Sequence, residues 1–162
     1  MSGQSIESRR RYDNRARQEK AAQTRERIVA AGSDLVHGFD SWNWHDLTFR
    51  AVAERAGVGE RTVYRHFPTE RHLHDAVMQR LESEAGVSYE DVNLANLAET
   101  TARVFASLQR FSVRDSIPAP PDPAFVSSDQ RRRGALLRAV SEAAPDRSEA
   151  HQRTITGLLD VL

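Results

Sequence analysis

The sequence predicts an all-α protein, with an N-terminal three-helix unit followed by a second helical domain. Two observations carry that expectation. Apolar residues recur at three- and four-residue spacing in successive windows, which is the period of an amphipathic helix. Thr, Gly and Pro divide these windows at the positions where helices start and stop. With 162 residues the chain is long enough for one comfortable core, or for a small module joined to a modest helical domain.

Composition narrows the class. A charged fraction of 28% beside a hydrophobic fraction of 39% suits a helical protein with much exposed surface. The absence of cysteine rules out a disulfide framework and a thiolate metal site. No signal peptide and no long apolar run are visible, so the expected location is the cytoplasm, with no membrane partner. The net charge is +0, but its distribution is uneven. Residues 1–80 hold 14 basic and 11 acidic side chains, and 81–162 hold 9 and 12, which places any polyanion contact in the N-terminal half.

The elements follow in order. Residues 1–16 contain Arg9, Arg10, Arg11 and Arg15 with almost nothing apolar, and are expected to form a flexible basic arm. From about Arg17 the pattern is helical, with Ile28, Ala31, Leu35 and Phe39 on one face and Gly38 as punctuation. Residues 39–46 read as a loop whose Trp42 and Trp44 anchor it on the first helix rather than bind a ligand. Thr48 caps a short helix to Ala56, Gly57 breaks it, and a second short helix runs from Glu60 to His66. Pro68 ends that helix, because the residue before a proline is pushed out of the helical region.

Thr69 caps the next helix, which carries Leu73, Ala76, Val77, Arg80 and Leu81 to about Ala85. Leu94, Leu97, Thr101, Val104, Phe105, Leu108 and Phe111 predict the longest amphipathic helix, the spine of the second domain. Pro118, Pro120, Pro121 and Pro123 predict a stiff connector, and helices resume over 130–143 and 148–162. Ile155, Leu158, Leu159 and Leu162 close the chain with no capping glycine, so they are expected to pack on a partner or to belong to a longer chain. The domain division is then a flexible basic arm (1–16), a helix-turn-helix unit (17–68), and a connecting helix with a second helical domain (69–162).

Functional chemistry concentrates in residues 48–67. Small or apolar Val52, Ala53 and Ala56 let a second helix cross closely, and Gly57 can take the left-handed conformation of a tight turn. At about 100° per residue, Glu60, Val63 and Phe67 share an inner side, while Arg61, Thr62, Tyr64, Arg65 and His66 share an outer one. That outer side is an array of donors suited to base edges and phosphates. Arg61 and Arg65 are the candidates for bases, and Thr62, Tyr64 and His66 for phosphates.

The run Leu47-Thr48-Phe49-Arg50-Ala51-Val52-Ala53-Glu54-Arg55-Ala56-Gly57-Val58-Gly59-Glu60-Arg61-Thr62-Val63-Tyr64-Arg65-His66-Phe67 closely resembles the TetR family signature. The resemblance extends back through the Ile28 helix and forward to about Leu81. It implies DNA contacts from Thr48 and Arg50 on the supporting helix and from Arg61, Thr62, Tyr64, Arg65 and His66 on the recognition helix. It also implies a homodimer on double-stranded DNA with a palindromic operator, a small-molecule effector bound in the C-terminal helices, and repression as the regulatory sign. Three departures stand out: Gly59 replaces a polar cap, Glu70 replaces a common lysine and withdraws a phosphate contact that Arg71 or His72 would have to supply, and the loop before Thr48 is long.

Other classes fit less well. His72 and His74 are two apart and diverge on a helix, so they cannot chelate a metal as an i, i+4 pair would. No phosphate loop or activated nucleophile pattern is visible; no catalysis, cofactor or metal is expected. The alternative to DNA binding is a helical protein-interaction adaptor, whose Arg61 face would meet an acidic partner.

Overall fold

The computed structural model describes residues 3–39, 44–109 and 125–161, with side chains described within 14–39, 44–109 and 125–160. Seven α-helices run in order: α1 (Gly3–His37), α2 (Phe49–Ala56), α3 (Glu60–His66), α4 (Glu70–Glu84), α5 (Leu97–Leu108), α6 (Val126–Ala143) and α7 (Glu149–Val161), and no strand occurs among the described residues. A short 3-10 turn, Trp44–Asp46, precedes α2. The all-α expectation is met.

The main core lies among α1 to α4. Ile28, Val36, Trp44, Leu47, Val52, Val63, Phe67, Leu73 and Val77 are each fully enclosed, so every one of these helices sends side chains to one centre. α4 is thus both the fourth wall of this body and the bridge to α6. Gly32 shows how closely α1 and α4 approach: a Cβ there would lie 2.5 Å from Val77 Cγ2. Trp44 sits inside, its indole edge-on to the His74 ring at 5.8 Å and to the Phe125 ring at 5.1 Å. Trp44 anchors the loop; Trp42 lies outside the described residues.

The C-terminal helices have a smaller core of Val92, Ala135 and Ala139, joined by Tyr89 and Leu97. Its apolar side chains are poorly covered, with Leu94, Phe105, Ile155 and Leu158 exposed. α6 and α7 pack on each other, and Arg132 and Arg133 of α6 both pair with Asp160 of α7.

Two expectations are corrected. The stretch read as a flexible arm is helical from Gly3, making α1, at 35 residues, the longest helix. Between Gly3 and Gly32 the chain has neither proline nor glycine, so a helix nucleated on the packed Ile28 end propagates through Arg, Gln, Glu and Ala at little cost. The helix expected over 94–111 is shorter, beginning at Leu97. Asn93 Oδ1 accepts from the amides of Ala95 (3.0 Å) and Asn96 (3.2 Å), and Asn96 Nδ2 donates to the Asp91 carbonyl (2.9 Å), so side chains hold the preceding residues in a turn. Phe111 and the prolines at 118, 120, 121 and 123 lie outside the described residues.

The α1 to α4 contact gives a direct test. Gly32→Ala is expected to cost about 1–3 kcal/mol of unfolding free energy through overpacking on Val77. Gly134→Ala, in open space within α6, is expected to gain roughly 0.5–1 kcal/mol from reduced chain entropy. Urea denaturation of both variants checks the opposite signs.

Candidate nucleic-acid interface

The pair α2 and α3 is built by local chemistry. Thr48, extended at φ −87°, accepts from the amide of Ala51 (3.2 Å) and so caps α2. Glu70 adds a second cap, its Oε1 accepting from the amide of Phe49 (3.3 Å). The carboxylate at this helix start also complements the positive end of the dipole. Gly57 closes α2 at φ 63°, ψ 39°, a conformation that strains any residue with a Cβ, and the Val58 amide returns to the Ala53 carbonyl at 3.0 Å. Gly59 precedes α3 with no side-chain cap; its carbonyl accepts from the Thr62 amide at 2.7 Å.

α3 is held from beneath by Val63 and Phe67, both in the main core. Arg61, Tyr64 and Arg65 are exposed on the opposite side, where they line a concave surface with Glu60 and Thr62. Neither Arg61 nor Arg65 pairs with a carboxylate among the described residues, so both forks stay open for an external acceptor. The Tyr64 ring stands edge-on to Phe49 at 4.4 Å, which fixes its direction and ties α3 to the start of α2. Arg50 is exposed on α2, and Thr48 and Thr62 are half-buried.

Glu60 was expected on the inner side with Val63 and Phe67, but it is exposed and faces the same concavity as Arg61. As the first residue of α3 it lies at the edge of the body, where the turn at Gly59 leaves nothing above it to pack against, and its carboxylate favours the helix N-terminus.

His66 is half-buried, with Nε2 enclosed and unpartnered among the described residues. Burial, then the charges of Arg65 and Arg25, push its imidazolium pKa below the ordinary value. Arg25 of α1 lies over the Phe67 ring, 5.0 Å from its centroid, and so brings a cation to the C-terminal end of α3. Arg25 was not foreseen as part of this region, nor Glu70 as a cap on α2, because each acts across a long sequence separation that no local pattern reports.

The two histidines of α4 serve separate ends. His72 Nδ1 is hydrogen-bonded to Thr69 Oγ1 (2.8 Å), and His74 Nε2 donates to the Leu47 carbonyl (2.7 Å). Among the described residues no three His, Asp or Glu side chains gather as a metal site, and no helix is long and apolar enough to cross a membrane.

Two short helices joined at a left-handed glycine, with outward-facing arginines that meet no carboxylate among the described residues, form a helix-turn-helix unit of the kind that binds DNA. The family model described as bacterial regulatory proteins, tetR family, matches residues 39–77, so this segment is similar to the DNA-binding domain of that family and supports a DNA-binding transcriptional regulator. No curated protein and no solved structure matches the chain.

The direction of the His66 shift fixes a pH dependence. With its pKa lowered in the folded state, the unfolded chain takes up the proton first as pH falls below about 6.5. The His66 contribution to stability is therefore present above that pH and declines below it. Urea midpoints at about pH 7 and pH 5 are expected to fall further in the wild type than in His66→Gln.

Proposed function

We propose that the chain is a ligand-responsive repressor that binds a palindromic operator as a homodimer in the cytoplasm. The observation that carries this proposal is the pair of open arginine forks, Arg61 and Arg65, on a helix anchored from below by Val63 and Phe67. These two read bases, each fork matching the paired acceptors of guanine, while Thr48, Arg50, Thr62 and Tyr64 position the unit on phosphates. His66 sits at the end of the same row. Its neutral imidazole would act as a hydrogen-bonding group at a phosphate rather than as a cation.

The C-terminal helices (69–162, with α4 as the connector) form the effector and dimerisation domain in this proposal. A cleft of about 890 Å³ between α5, α6 and α7 is lined by apolar Val92, Leu97, Phe105 and Leu136, with Arg132 and Asp160 as its charged groups. That character suits a largely apolar small effector. Exposed Ile155 and Leu158 on α7 favour a second copy.

The link between the two parts rests on Arg131 of α6. Its Nη1 donates to Asp75 (2.7 Å) and its Nη2 to Glu82 (3.2 Å to Oε2), so one guanidinium bridges two turns of α4. Ser128 adds a hydrogen bond to Glu82 at 2.5 Å. A shift of α6 on effector binding would then move α4, and α4 shares its core with α3.

Two measurements follow. Arg61→Ala and Arg65→Ala are each expected to lose about 1–3 kcal/mol of affinity for the preferred duplex and to relax base preference at one position, read by titration against matched and scrambled duplexes. Absence of binding to any duplex would instead favour the adaptor. Arg131→Met, which strands Asp75 and Glu82, is expected to cost about 1–3 kcal/mol of unfolding free energy, with a smaller loss for the more exposed Arg133→Met.

A further inference from the structure

We infer that the N-terminal half of α1 is a second DNA-contacting element, a basic helix that tracks backbone phosphates beside the site bound by α3. This rests on the DNA-binding reading of α3 and adds to it a surface of its own.

The main core takes in α1 only from Ile28 onward. Upstream of Arg25 and Glu26, which touch Phe67 and α4, residues 3–24 therefore extend about 33 Å at 1.5 Å per residue, comparable to one turn of duplex at about 34 Å. In sequence the stretch 3–27 holds eight basic and four acidic side chains. Among its described residues almost all are exposed, so no packing accounts for its length. A helix that is polar all round and buries nothing needs another source of support.

Over residues 14–27, whose side chains are described, the charges are sorted by face. At about 100° per residue, Arg17, Lys20 and Arg27 fall within an arc of about 80°, and Glu19 and Glu26 lie on the opposite side. The two acids are occupied: Glu19 holds Arg15 at 3.0 Å, and Glu26 pairs with Arg80 of α4. Arg17, Lys20 and Arg27 pair with no carboxylate among the described residues. One face is thus neutralised within the protein, and the other carries three uncompensated cations in a row.

The placement relative to α3 is set by Arg25, whose guanidinium lies over the ring of Phe67, the residue that ends α3. The free part of α1 therefore departs from the end of the recognition helix, where a duplex held by Arg61 and Arg65 would pass. A polyanion with regularly spaced charges fits a rigid row of cations better than a small ligand would.

The test uses the full chain and the duplex that it selects from a random-sequence pool. Affinity is measured between about 50 and 200 mM salt for wild type, for Arg17→Gln/Lys20→Gln/Arg27→Gln, and for Arg15→Gln on the opposite face. With a slope of about 0.9 per phosphate contact, wild type is expected to weaken roughly 40-fold more than the triple variant over that range. Arg15→Gln is expected to follow wild type, and base preference to be the same in all three. Equal salt slopes for wild type and triple variant, with binding still lost in Arg61→Ala, would overturn the proposal and leave the α3 reading standing. Failure of wild type to bind any duplex would overturn both. Matching thermal melts for wild type and triple variant separate lost contacts from lost fold.

Discussion

The close crossing of α1 and α4 is the constraint on which the rest depends. Only a hydrogen on Gly32 separates the α1 backbone from Val77. That proximity lets Leu73 and Val77 reach the same centre as Ile28 and Val36, leaving a pocket that Trp44, Val52, Val63 and Phe67 fill from the loop before α2, from α2 and from α3 with its C-terminal cap. α3 has seven residues and would not persist alone in water; its direction is fixed by the two anchors that this pocket accepts. Recognition-helix geometry is therefore a property of a contact made by two other helices.

Helix boundaries around the turn were legible because their causes are local. Thr48, Gly57, Pro68 and Thr69 each act within four residues, and the structure places the ends of α2, α3 and α4 where those residues require. The outward face of α3 was legible for Arg61, Tyr64 and Arg65, since period alone sets it once Val63 and Phe67 are inward. Glu60 and His66 escaped that logic. Glu60 lies at the helix start, where the edge of the body outweighs angular period, and the surroundings of His66 include Arg25, which arrives from α1. The long α1 was illegible for a different reason: polar residues with good helix propensity look like disorder until a packed end nucleates them.

The two halves of the molecule are built to different standards of closure. Beneath α3, Val63 and Phe67 are enclosed, and the N-terminus of α2 is doubly capped. In the C-terminal helices α5 has no buried residue at all, and α6 meets α4 through ions and hydrogen bonds from Arg131 and Ser128 beside the Phe125 ring packed on the main core. Ionic contacts at partial exposure reorganise at lower cost than a packed core. A closely packed body joined through such a seam to more loosely covered helices is an arrangement in which small shifts in one half reach the other without unfolding either.

The position of Trp44 gives that seam an optical signature. Its indole lies between His74 of α4 and Phe125 at the start of α6, so it touches both sides of the junction at once. Any separation of α6 from the DNA-binding body would admit water to an indole that is otherwise wholly enclosed. Emission from Trp44 would then move to longer wavelength. The chain therefore carries an intrinsic fluorophore at a contact between its halves.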